Sequence, residues 1–280
     1  MRTLVRRHPL AAFVLIAYAA SWLAWLPLLL RGARVTPGGA ETHFPGLLGP
    51  ALAAFAVTAI VDGRAGVRAL ASRMVRVSRP LWRFVLWAFS PLAFLALALL
   101  ALRVLDRPWP TLESFALYSG LPALAPVLVF VLVLVFNGVG EETGWRGFAL
   151  PRLQQRFGPV AGALVLALVW AGWHLPMFWF VEGYGGMSAA MLLGGFGLGL
   201  CAGSIVLAHV AHHTGGSVLA VALWHTLYNL TSATEAGRGP VGAIATSAVM
   251  VWATLLLWLE WRRPRTPSRL LVELEGAPKP

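Results

Sequence analysis

The chain has 280 residues, of which 58% are hydrophobic and only 12% charged, with a mean hydropathy of +0.73 and a formal net charge of +11. An ordinary soluble domain carries about a quarter charged residues, so the composition excludes a water-soluble globular protein, and its hydrophobicity excludes disorder. What remains is a polytopic membrane protein: an all-α bundle forming one integral membrane domain over residues 1–280, with a polar C-terminal tail over 262–280.

The first apolar stretch, 9–30, follows Arg2, Arg6 and Arg7. It exceeds the apolar region of a signal peptide (about 7–15 residues) and reads as an uncleaved span. Seven more stretches follow, over 44–61, 84–102, 121–139, 160–181, 187–208, 217–230 and 241–259. About eight transmembrane helices are therefore expected, the seventh being short and carrying His225 and Asn229. With the N-terminus inside, 17 basic residues fall in inner segments and 5 in outer loops. That asymmetry predicts a multi-pass cell-membrane protein with both termini cytoplasmic. It accounts for the basic balance through the lipid bilayer, without a nucleic-acid partner.

The remaining punctuation is bland. Cys201 is the one cysteine, so no intrachain disulfide forms. Gly195, Gly199 and Gly203 recur every fourth residue and suit close helix packing; no strand or GxGxxG pattern accompanies them as a phosphate loop would need. His209, His212 and His213 cluster near the cytoplasmic end of the sixth stretch; they could bind a metal, and read first as interfacial residues. The acceptor pattern Asn229-Leu-Thr231 closes a span and is not a glycosylation site.

Polar groups inside a membrane are costly and usually functional. Setting the loops aside leaves Asn137, Glu141, Glu142, Arg146, His174, His225 and Asn229. Glu142 and Arg146, spaced i, i+4, share a helix face and can pair, which keeps Glu142 ionised. Glu141 points about 100° away without that partner and suits a general base or acid. If the helix runs to Leu150, Glu141 lies roughly 13 Å from its cytoplasmic end, whereas His174 lies roughly 22 Å beyond Pro159. The mismatch calls for a tilt or a later helix start. The alternative is a cytoplasmic loop in which both carboxylates meet water. His225 and Asn229, also i, i+4, aim at one point. A carboxylate, a histidine and a His/Asn pair from three helices are enough to activate water and stabilise an oxyanion.

Glu141-Glu142-x-x-x-Arg146, then His174, then His225-x-x-x-Asn229 resemble the EExxxR, FxxxH and HxxxN/D motifs of the CAAX protease and bacteriocin-processing (CPBP) family of intramembrane proteases. The resemblance covers 121–230, which would be the catalytic core. One departure is plain: Trp170 stands where the second motif has Phe. The resemblance implies a peptidase cutting a membrane-embedded or lipidated peptide or protein. Glu141 would activate water and His174 would assist or ligate a metal. His225 and Asn229 would hold the metal or the oxyanion, and Glu142 and Arg146 would brace the first motif. A zinc ion on His174 and His225 would make it a metalloprotease, although HExxH is absent. Hydrolysis needs water, so a cavity open to the cytoplasm is expected. The competing readings are a non-catalytic immunity or scaffold protein and a Glu/His-based transporter.

Overall fold

The computed structural model describes residues 2–262 and 268–272; most of the expected polar tail, 263–267 and 273–280, lies outside them. The described residues are helical, without a strand beyond isolated backbone bridges. The main helices are α1 (Pro9–Leu30), α2 (Phe44–Val61), α3 (Gly63–Met74), α4 (Leu81–Ala88), α5 (Pro91–Val104), α6 (Pro126–Phe157), α7 (Pro159–Trp173), α8 (Met191–His213), α9 (Val218–Ser232) and α10 (Pro240–Arg262). Proline opens α1, α5, α6, α7 and α10, where its fixed φ suits the first turn and its missing N–H costs nothing. Ser217 caps α9 by accepting from the Ala220 N–H at 3.1 Å.

Each of the eight apolar stretches holds a helix, but not every helix has spanning length. Five are long and apolar enough, and α4 and α5, bent by 45° at Ser90, make up to a sixth. α7 and α9 have 15 residues each, about 22 Å against a hydrocarbon core of about 30 Å. α9 is walled in by protein, with Val221, Trp224, His225 and Thr226 all buried. Outward faces carry Leu15, Leu23, Leu100 and Leu168, each at least 60% exposed, as suits contact with lipid tails.

Two ends are distinguished by chemistry. At one, arginines tie helix ends together. Arg6 Nε donates to Ile60 O at 3.0 Å, Arg152 pairs with Asp62 at 2.8 Å, and Arg73 Nη2 donates to Gly147 O at 2.8 Å. Burial, with Arg152 and Arg76 nearby, pushes the Arg73 guanidinium down to about 10. At the other end, backbone bridges join Val35 to Val181, Pro37 to Ser119, Gly38 to Pro122 and Tyr118 to Thr234, gathering four connecting segments.

α6 runs seven residues beyond Leu150, to Phe157. Gly158, at φ +83°, then turns the chain into α7. In this hairpin Glu141 lies 16 residues before Phe157 and His174 lies 15 after Pro159. At the α-helical rise these are about 24 Å and 22 Å. The depth mismatch expected from a helix ending at Leu150 therefore disappears.

Candidate active site

The middle of α6 departs from α-helix. Leu134–Glu141 and Trp145–Ala149 are π-helical, flanking one α turn at Glu142–Gly144. Such widened turns recur at functional sites. Glycine lets this segment approach its neighbours. A Cβ at Gly138 would lie 2.7 Å from Thr226 Oγ1 and 2.8 Å from Ala222 O on α9. A Cβ at Gly144 would meet Pro50 O of α2 at 2.6 Å. This stretch of α6 is thus pressed against α9 on one side and α2 on the other.

Both carboxylates are buried in protein, Glu141 at 2% exposure and Glu142 at 0%, so they do not sit in a hydrated loop. Their surroundings differ. Glu142 is saturated: Arg146 Nη1 donates to Oε1 and Oε2 at 2.8 and 3.0 Å, and His225 Nδ1 meets Oε1 at 2.8 Å. The Arg146 guanidinium stands over the Trp170 ring at 4.4 Å. Glu141 has one neutral donor on each oxygen, Asn137 Nδ2 on Oε1 at 3.4 Å and Trp170 Nε1 on Oε2 at 2.9 Å. The i, i+4 pairing of Glu142 with Arg146 and the different direction of Glu141 match the spacing argument.

A cavity of about 1140 Å³ adjoins Glu141. Its wall includes Asn137, Glu141, Trp170, His174, His225 and Asn229, but neither Glu142 nor Arg146. The motif residues therefore divide into a layer facing the cavity and an ion pair behind it. His174 Nδ1 lies 2.7 Å from Trp170 O. A carbonyl only accepts, so Nδ1 carries the proton and Nε2 is the free acceptor of the neutral ring. An ionised Glu142 imposes the same tautomer on His225. Asn229 Nδ2 donates to Tyr118 Oη at 3.3 Å.

Three cavity residues lie on connecting segments and were passed over in the sequence: His43, Tyr118 and Tyr184. His43 Nδ1 is buried without a hydrogen-bond partner. Tyr184 stacks on His174 with ring centroids 6.4 Å apart. The signal for them was weak, since polar residues in loops need no explanation.

The cavity also reaches the connecting segments that the backbone bridges gather at one end of the molecule. Its lining there includes Pro37, Ser119, Glu182, Thr234 and Arg238, all at the end opposite the arginine cluster. The expected zinc pair also lacks company. Among the described residues no group of three or more His, Cys, Asp or Glu side chains could hold a metal ion, whereas catalytic zinc takes three protein ligands. The residues present do not fit a zinc site.

Residues 123–231 match the family described as Type II CAAX prenyl endopeptidase Rce1-like. The span takes in α6 to α9, which carry the motif residues of the cavity wall; α10 and residues 37–47 add to the lining. The chain is also similar to a CAAX prenyl protease 2 from Methanococcus maripaludis, at 24% identity over 74 residues, 26% of this chain and 27% of that relative. The likeness thus spans about a quarter of that relative's length.

Proposed function

We propose that this chain, a member of the CAAX protease and bacteriocin-processing family, is an intramembrane endopeptidase acting on a membrane-embedded or lipidated peptide or protein through a water activated by Glu141. The observation that carries this reading is the unequal treatment of adjacent carboxylates. Glu142 is locked behind the wall by Arg146 and His225. Glu141 faces the cavity with only two neutral donors and so keeps lone pairs for a water proton.

In the reaction, water adds its hydroxyl to the scissile carbonyl carbon while its proton goes to Glu141. The carbon–nitrogen bond then breaks, and Glu141 returns the proton to the departing amine. His174 Nε2 accepts a hydrogen bond from the attacking water and fixes its direction. The Asn229 amide, held by Tyr118, donates to the developing oxyanion, a donor type worth about 2.7–4 kcal/mol of barrier in acyl transfer. The Glu142–Arg146 pair acts through others, by holding His225 and the Trp170 ring.

The test is hydrolysis of quenched fluorescent peptides by purified protein in lipid nanodiscs. Glu141→Gln should abolish turnover while the unfolding midpoint stays near that of wild type. Undiminished turnover in that variant would remove Glu141 from the chemistry. No hydrolysis by either protein, with Glu141→Gln preserving function in cells, would favour a scaffold role.

A further inference from the structure

We infer that the arginine-rich ends of α6 and α8 form a docking groove for an extended segment with apolar side chains two residues apart, that the chain's own residues 268–272 occupy it, and that this docking clasps the base of the α6–α7 hairpin and so keeps Glu141 and Trp170 in register. The docking stands apart from the endopeptidase reading; its consequence for turnover rests on that reading.

The first argument is the pattern of burial. The polar tail contains Leu270-Leu271-Val272, and the fold treats these three differently. Leu270 is 0% and Val272 5% exposed, and both belong to the same apolar core as Leu153. Leu271 between them is only half-buried. Burial at every second position is what an extended chain shows when it lies against a surface.

The second argument is the pairing of the main chain. The buried Gln154 side-chain amide donates from Nε2 to Leu270 O at 2.6 Å and accepts at Oε1 from Val272 N–H at 2.9 Å. It meets the segment as the peptide group of a neighbouring strand would. The Leu271 carbonyl accepts instead from His212 Nδ1 of α8. Arg269 N–H donates to Glu260 Oε1 of α10 at 2.8 Å and anchors the start of the segment. Main-chain hydrogen bonds with alternate side chains buried are the physics of strand-like peptide recognition.

The third argument is what the groove is attached to. Gln154 Nε2 also donates to Pro159 O at 3.2 Å, across the turn from α6 to α7. A Cβ at Gly162 would lie 2.7 Å from Gln154 N, so the two arms touch at this level. Farther along the same arms, Trp170 Nε1 of α7 donates to Glu141 Oε2 of α6 at 2.9 Å. One amide therefore joins the tail, α6 and α7 at the base of the hairpin that carries Glu141. If the tail leaves, Gln154 Oε1 loses its donor and Leu270 and Val272 lose their burial, so the docked state is favoured.

The experiment is hydrogen–deuterium exchange on the full chain in lipid nanodiscs, read over 268–272 and over 150–165. Leu270→Asp puts a charge at a fully buried position and alters no residue of the hairpin. Leu270→Ala, a milder change at the same place, serves if Leu270→Asp does not fold. Leu271→Asp changes the side chain between the two buried ones. Wild type and Leu271→Asp should exchange slowly in both segments. The Leu270 variants should exchange roughly tenfold faster or more in both. An unprotected wild-type tail, or protection unchanged in the Leu270 variants, overturns the docking. Equal loss in Leu271→Asp overturns the alternate burial on which the groove is argued. A freed tail beside unchanged exchange over 150–165 overturns the clasp. Hydrolysis of a quenched peptide by the same proteins is read separately: kcat should fall in the Leu270 variants and hold in Leu271→Asp. An unchanged kcat with a freed hairpin overturns the link to Glu141. No hydrolysis by wild type ends the endopeptidase reading, and the docking then stands or falls on exchange alone.

Discussion

Replacing Trp170 by Phe isolates one hydrogen bond at the site. Phe restores the aromatic that the family motif carries at this position but has no N–H, so Glu141 Oε2 loses its 2.9 Å donor. The remaining donor, Asn137 Nδ2 at 3.4 Å, is too long to hold the carboxylate alone. The phenyl ring still fills most of the space and still offers a face to Arg146, whose guanidinium stands 4.4 Å from the indole, so packing and cation–π attraction are largely kept. What is removed is a hydrogen bond to an ionised group, worth about 1.5–3 kcal/mol. If all of that serves to hold Glu141 at the water, kcat falls roughly 10- to 150-fold. KM should change little, because a water-activating carboxylate is felt in the chemical step. Initial rates on a quenched peptide, beside thermal unfolding of both proteins, measure this. A kcat within twofold of wild type, in a variant that unfolds at the same temperature, would refute the role given to the indole. Asn137→Ala is the built-in comparison: its longer bond predicts the smaller loss.

The remaining predictions concern the ion pair, the helix crossing and the metal. Arg146→Met leaves the Glu142 carboxylate, at 0% side-chain exposure, buried with only His225, and should cost about 3–5 kcal/mol; thermal unfolding in nanodiscs measures it, and adding Glu142→Gln should recover a good part. Gly138→Ala puts a methyl group 2.7 Å from Thr226 Oγ1, so α6 and α9 must separate, at about 1–3 kcal/mol and with loss of turnover; a fully active variant would show that the two helices already have room. Hydrolysis should survive 1,10-phenanthroline, since among the described residues no three-ligand set stands near His174 and His225. Inhibition that added zinc reverses would contradict that.

What the sequence made legible was local: things decided within one helix. Eight apolar stretches located the helices, and the i, i+4 spacings of Glu142 with Arg146 and of His225 with Asn229 put each pair on one face. What it withheld depends on where chain segments end in space. Nothing in the apolar pattern signals that α6 continues past Leu150, where Pro151 follows. Yet proline is tolerated in the first turn after a break in hydrogen bonding, and here the π-helical turns over Trp145–Ala149 supply that break. The same extension to Phe157 brings Trp170 level with Glu141, a contact no periodicity within either helix encodes. His43 and Tyr118 escaped notice because they lie on connecting segments, where polarity is ordinary. Burial of α7 and α9 completes the picture. Helices of 15 residues cannot span the bilayer, but they need not when surrounding helices meet the lipid. The cavity lined by His174 and Asn229 lies among them, enclosed by those longer helices.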